Sequence, residues 1–261
     1  MHHSWTETMS LQGKTLLITG ASAGIGRATA LHAAAAGARL VLTARQPGPL
    51  QSLADEIHAQ GGQTATLAGD VGEEEHARQL VALALSRFGR LDAAFNNAGT
   101  LGALGPTPDI HLDAWQATLR TNLTAAFLAA KTQIPALLEA GGGSLVFTGT
   151  FVGHTVGFPG AAAYAASKAG VVGLVQALAT EFGPHGLRVN ALLPGGTDTA
   201  MGRQMNPTPE GLAAVASLHA LKRLAQPDEI ARAALFLLSD ASSFMTGAAM
   251  LVDGGVSVNR S

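Results

Sequence analysis

The stretch Thr15-Leu16-Leu17-Ile18-Thr19-Gly20-Ala21-Ser22-Ala23-Gly24-Ile25-Gly26 decides how the rest of the chain is read. Its first five residues are apolar or β-branched without polar alternation, the pattern of a strand buried on both faces. Its glycines follow G-x-x-x-G-x-G, one residue longer than the G-x-G-x-x-G turn that receives a dinucleotide. Glycine lets the backbone turn tightly and approach a pyrophosphate, while the helix beginning near Gly24 offers unpaired N–H groups and a partial positive charge. A strand, a glycine turn and a helix in that order are the first unit of a doubly wound α/β sheet.

Outward from that unit the alternation continues. Further strands are expected at Leu40 to Thr43, Thr64 to Ala68, Leu91 to Phe95, Ser144 to Thr148, Arg188 to Leu193 and Ala248 to Val252. Between them the pattern predicts helices over Gly24 to Ala36, Pro49 to Ala59, Glu73 to Phe88, a long helix ending near Leu138, Ala162 to Phe182, and Asp228 to Leu238. Gly37, Gly61 and Gly183 stand where helices should stop in left-handed caps, and Pro227-Asp228 marks a helix start. The fold class is α/β, a single-domain Rossmann-like parallel sheet of about seven strands with helices on both faces. Residues 1–261 form one domain, with 1–10 an N-terminal extension. Residues 195–226 break the alternation as a segment rich in Gly, Pro, Met and Ala, expected to be a substrate loop or lid with a helix over Pro209 to Leu218.

Composition narrows the function. The 261 residues include 16 Lys+Arg and 18 Asp+Glu, giving a net charge of -2 with no basic patch to neutralise a run of phosphates, so nucleic acid is excluded as a partner. No cysteine means no disulfide, thiol chemistry or thiolate metal site. Charged residues make up only 13% and mean hydropathy is +0.25, yet Lys131 and Lys168 interrupt the longest weakly charged stretches, and no membrane span is expected. The N-terminus has no apolar core of a signal peptide. A cytoplasmic protein is the expectation, its surplus apolar surface buried in the sheet or between subunits.

Four further motifs accompany the glycine turn: Asn96-Asn97-Ala98-Gly99, Tyr164-Ala165-Ala166-Ser167-Lys168, Pro194-Gly195, and Val252-Asp253-Gly254-Gly255. Together, in this order and from Gly13 to Gly255, they resemble the short-chain dehydrogenase/reductase family. The resemblance implies hydride transfer between a nicotinamide and a secondary alcohol or ketone. It makes Tyr164 the general acid/base and gives Lys168 the nicotinamide ribose hydroxyls. Four residues apart on a helix, the two share a face, and an ammonium beside a phenol favours phenolate, so Lys168, helped by a cationic nicotinamide ring, is expected to draw Tyr164 below its usual pKa of ~10.

The resemblance also implies a hydroxyl that holds the substrate oxygen, usually a serine thirteen residues before the tyrosine. Phe151 occupies that position here, and Thr150 precedes it; a one-residue insertion within His154 to Gly160 would bring Thr150 into the role, with Thr148 as the alternative. Asn122 matches the asparagine that kinks a helix and anchors a proton-relay water to the lysine. The implied cofactor set is Gly20, Ser22, Gly24, Ile25 and Gly26 at the pyrophosphate, and Asp70 with Val71 at the adenine. It continues with Asn97, Ala98 and Gly99 at the adenosine ribose, and Pro194, Gly195, Thr197 and Thr199 at the nicotinamide. Asp70 reads equally as an N-cap for the following helix.

Ala44 stands where an acidic residue would grip the ribose 2′-hydroxyl of NAD, and Arg45 follows with a guanidinium suited to a 2′-phosphate. NADP(H) is therefore expected over NAD(H). Phe151, His154, Phe158, Met201 and Met205 are expected to wall an apolar substrate pocket. Arg203 reads as a solvated surface side chain. No ligand spacing points to a catalytic metal. Small-residue helix faces around Ala125 and Ala169 and the last strand near Ala248 resemble the family's subunit contacts, implying a homotetramer. The alternative function is a silent nucleotide-sensing or scaffold protein, which the retained Tyr164 and Lys168 disfavour; a third reading, dehalogenation or epoxide opening, is disfavoured by the intact glycine turn.

Overall fold

A computed structural model describes residues 9–260; most of the expected N-terminal extension, residues 1–8, lies outside the described residues. Seven strands form one parallel sheet: β1 (Thr15–Thr19), β2 (Arg39–Thr43), β3 (Gln63–Thr66), β4 (Ala93–Asn96), β5 (Gly143–Thr148), β6 (Leu187–Pro194) and β7 (Ala249–Val252). Their spatial order is β3-β2-β1-β4-β5-β6-β7. The helices are α1 (Gly24–Ala35), α2 (Pro47–Ala59), α3 (Glu74–Phe88), α4 (Leu112–Leu119), α5 (Ala125–Glu139), α6 (Ala162–Phe182), α7 (Ala200–Met205), α8 (Pro209–Leu218) and α9 (Pro227–Leu238).

The continuous apolarity of the strands has its cause in two cores. Along β1 the side chains of Leu16 and Ile18 enter one core with Leu40, Phe95, Val146 and the inner faces of α1, α2 and α9. Leu17 enters the other, with Phe147, Val189 and the inner faces of α3, α5 and α6. Successive residues point to opposite faces of a strand, so a sheet covered on both sides has no polar face to present. Each fully buried Leu, Ile or Phe contributes roughly 1.5–3 kcal/mol.

Several boundaries depart from the sequence reading. Gly37 and Gly61 adopt the expected left-handed conformation, at φ +87° and +81°. Gly183 does not: it is right-handed at φ −55°, the chain runs on through a turn at Gly183–His185, and the reversal occurs at Gly186, φ +77°. The long helix ending near Leu138 is two helices joined by a π-turn at Arg120–Thr124, centred on Asn122. Glu73, not Asp70, is the N-cap residue of α3. Asp70 instead accepts the Gly72 N–H at 2.8 Å and pairs with Arg120.

The stretch Ala162–His185 is long and apolar enough to cross a membrane by length and composition alone. Here Val171, Val172, Val175 and Leu178 of that stretch pack into the sheet core, and it carries Lys168. The strand order reverses between β1 and β4, and the ends of these strands open the crevice in which doubly wound sheets bind ligands.

Candidate active site

The glycine turn leads from β1 into α1 along the floor of this crevice. Gly20 and Gly24 have φ of +65° and +52°, which a side chain would strain. Gly26 is held by space: a Cβ there would lie 2.2 Å from the Gly20 carbonyl oxygen and 2.7 Å from Asn97 Nδ2. Ala23 caps α1 without a side-chain hydrogen bond, and no acidic residue occupies the first turn. The first N–H groups of α1 are thus available to a pyrophosphate, and the residues present fit a dinucleotide.

Asn97 ties the strand ends together. Its Nδ2 donates to the carbonyls of Thr19 and Gly20, its Oδ1 accepts the Thr148 hydroxyl at 3.2 Å, and the Ala98 N–H donates to Thr19 Oγ1. At the far side of β1, Ala44 is buried and Arg45 is exposed, and Arg45 makes no hydrogen bond or ion pair among the described residues. Val71 lines a cavity that runs beneath the crevice between Thr19, Asn96, Asn122, Gln133, Thr148 and Lys168.

Tyr164 and Lys168 are one turn apart on α6, a helix with no side-chain cap whose small residues let it lie close to β6. Lys168 is 5% exposed, and its Nζ donates to the Thr148 carbonyl at 2.7 Å. Burial pushes the ammonium down to about 8. The Tyr164 phenol is pushed above its ordinary value by burial and drawn back partly by the nearby Thr150 hydroxyl. With Lys168 turned to the Thr148 carbonyl, desolvation dominates, and the chain's own residues do not supply the lowering expected of Lys168 together with a cationic nicotinamide. The protein by itself holds Tyr164 as a proton donor at neutral pH.

Thr150 is buried and its hydroxyl accepts the Val152 N–H at 3.3 Å, in a position that favours the ionised form of Tyr164. Thr148, the alternative, spends its hydroxyl on Asn97 and its carbonyl on Lys168. Asn122 is 3% exposed and fully engaged: Oδ1 accepts the Thr100 N–H at 2.8 Å, while Nδ2 donates to the Thr100 carbonyl and to Ser167 Oγ. The side chain locks the π-turn, so any water it anchors must be held by backbone. Gly99 makes room here, since a Cβ on it would come 3.2 Å from both Asn122 Oδ1 and Lys168 Nζ.

Beyond β6, Gly195 passes so close to Asp253 that a Cβ would lie 2.7 Å from its Cα. The Thr197 hydroxyl donates to the Gly195 carbonyl. The Thr199 hydroxyl accepts the Gly202 N–H as the N-cap of α7 and donates to the Thr197 carbonyl at 3.5 Å. Arg203 is bound bidentately by Asp198, a surface pair rather than a ligand site.

An apolar wall stands beside Tyr164. Phe151 and Phe158 meet edge to face with centroids 5.9 Å apart, and Val152, Val156 and Val256 complete the cluster. Of the expected pocket residues, His154 and Met201 are exposed and, with Met205, lie outside this cluster. The sequence reading missed Val152, Val156 and Val256; the last, one residue after Gly254-Gly255, returns the C-terminal segment to the site. Among the described residues no group of three or more His, Asp or Glu is placed to hold a metal.

Known proteins share this arrangement. Residues 20–257 match the family model described as Enoyl-(Acyl carrier protein) reductase. The chain is 39% identical to cyclohexanol dehydrogenase of Acinetobacter sp. (strain SE19) over 92% of its own length and 94% of that protein's. The structure of levodione reductase superposes with a TM-score of 0.91 at 33% identity, covering 95% of this chain and 99% of that one. A structure from Beutenbergia cavernae with bound NADP superposes with a TM-score of 0.90 at 36% identity, covering 97% of this chain and 100% of that one. With a seven-stranded parallel sheet and relatives matched over nearly their whole length, the chain belongs to the short-chain dehydrogenase/reductase family, as an oxidoreductase acting on CH–OH donors with NAD(P).

Proposed function

We propose that the protein interconverts an apolar cyclic secondary alcohol and its ketone with NADP(H), Tyr164 exchanging the proton. The observation that carries this reading is Tyr164, one turn from buried Lys168 on α6, packed against the apolar cluster of Phe151, Val152 and Val256 with Phe158 at its edge. A ring of CH₂ groups with one oxygen is complementary to such a wall, and a cyclohexanol dehydrogenase is among the relatives. Arg45, exposed and unengaged at the end of β2, supports the 2′-phosphate.

The nicotinamide, when bound, supplies or accepts the hydride. Gly20, Ser22, Gly24, Ile25 and Gly26 hold the pyrophosphate, Asp70 and Val71 the adenine, and Asn97 to Gly99 the adenosine ribose. Thr150 donates to the substrate oxygen and fixes it near the phenol. In reduction Tyr164 gives its proton to that oxygen, and Lys168 replaces it from the cavity below, along the backbone of Asn122. In oxidation Tyr164 must first lose its proton, which burial opposes, so alcohol oxidation rises with pH more steeply than ketone reduction does.

The segment 195–226 closes over the site as a lid, and exposed Phe127 and Phe244 fit burial between subunits of a homotetramer. Initial rates with cyclohexanone, with acyclic ketones and with sugars, each with NADPH and NADH, test the assignment. Cyclohexanone with NADPH is expected to give the highest kcat/KM, and a preference for a polar sugar would overturn the substrate class.

A further inference from the structure

The nicotinamide side of the crevice depends on a residue outside the family motifs. His219 follows α8, is 1% exposed, and uses both ring nitrogens. The Gly196 N–H donates to Nε2 at 2.9 Å, so Nε2 carries a lone pair and the hydrogen resides on Nδ1, 2.8 Å from the Val215 carbonyl. Two glycines frame the ring: a Cβ on Gly196 would lie 2.8 Å from Cε1, and one on Gly254 would lie 3.2 Å from Cδ2.

Three chain segments therefore meet at one imidazole: the turn after β6, the end of α8, and the C-terminal segment. The Gly196 carbonyl is held in turn by the Ala225 N–H, and Ala225 accepts the Asp198 N–H. Thr197 lies between these two anchored peptides, and its own N–H takes no partner among the described residues.

We propose that His219 is a positioning residue that fixes the Gly196–Thr197 turn so that the Thr197 N–H and hydroxyl stay presented to the nicotinamide half of the cofactor. The inference rests on the cofactor reading above and adds to it a requirement on a side chain that touches neither cofactor nor substrate. It has a geometric consequence. Glutamine places an amide oxygen at about the reach of Nε2 and can accept the Gly196 N–H; asparagine reaches only as far as Nδ1 and keeps the Val215 end alone.

The test compares His219→Gln and His219→Asn in the full chain by calorimetric titration with NADP⁺ and with adenosine 2′,5′-bisphosphate, which lacks the nicotinamide. His219→Asn is expected to bind NADP⁺ about tenfold more weakly, the order of one lost hydrogen bond, with bisphosphate affinity unchanged and with His219→Gln near wild type for both. Equal loss of both ligands, undiminished NADP⁺ binding by His219→Asn, or identical behaviour of the two variants would overturn it. Amide hydrogen exchange over residues 195–200 of the ligand-free protein supplies an independent readout. Faster exchange in His219→Asn than in His219→Gln is expected, and equal exchange would count against the proposal even if the wild-type protein bound no NADP⁺, an outcome that would by itself refute only the cofactor assignment.

Discussion

Lys168 should make the protein less stable than it would be without it, by an amount that depends on pH. In the unfolded chain its ammonium titrates near 10.5, and in the folded protein near 8. Burial penalises the charged form, so below pH 8 the folded state carries the whole penalty, on the order of 3 kcal/mol for this difference. As pH rises from 8 towards 10.5 the folded state sheds the proton while the unfolded state keeps it, and the penalty falls. Replacing Lys168 by methionine removes the titration and leaves the Thr148 carbonyl without its donor, a loss of roughly 1–3 kcal/mol that is independent of pH. The stability of wild type relative to Lys168→Met should thus increase by about 1.3 kcal/mol between pH 7 and pH 9. Urea unfolding of both proteins at the two pH values measures this, and all other titrating groups cancel in the difference. A gap that is constant with pH, or that moves the other way, would refute the placement of a buried ammonium beneath the site.

Tyr164→Phe should bind NADP⁺ as wild type does and lose turnover by several orders of magnitude; retained turnover in a ketone-reduction assay would remove Tyr164 from the chemistry. Thr150→Val should lower kcat by roughly 10²–10³-fold, as loss of one donor to a developing oxyanion does, whereas Thr148→Val should chiefly reduce stability through Asn97, as thermal unfolding would show. Arg45→Ala should lower the NADPH to NADH ratio of kcat/KM at least about tenfold, the scale of one charge-assisted hydrogen bond pair; an unchanged ratio would end the 2′-phosphate assignment. Gly26→Ala, whose Cβ would lie 2.2 Å from a backbone oxygen, should cost at least about 1–3 kcal/mol in unfolding free energy.

What was legible in the sequence followed from short-range physics. β1, α6 and α8 occupy the expected spans because strand burial, helical periodicity and proline at a first turn act over a few residues. Gly183 failed because the same residue type serves a right-handed turn when the reversal is deferred to Gly186, and only the packing of the following strand decides which. The kink at Asn122 was implied by the resemblance, but its form, a π-turn stabilised by Thr100 and Ser167, 22 and 45 residues away, leaves no local signal. The chain's own residues raise Tyr164 rather than lower it, because the sequence shows the neighbour at i+4 but neither the depth of burial nor the carbonyl that captures Lys168.

The substrate wall exposes the same limit from the other side. Phe151 and Phe158 stand near Tyr164 in the chain and were anticipated; Val256 comes from the far end, placed by a loop in which Asp253 accepts the N–H groups of Gly255 and Ser257. Ser257 then meets Thr155 in the turn that follows Thr150. The turn that carries Thr150 and Phe151 is therefore braced by the C-terminal segment, which also bears on His219 through Gly254. Close approaches at four glycines help to hold the loops around the site, Gly26 and Gly195 against backbone, Gly196 and Gly254 against the His219 ring. Enlarging Gly26 should disturb the pyrophosphate end of the crevice and enlarging Gly196 or Gly254 the nicotinamide end, because the first crowds the glycine turn and the other two crowd His219.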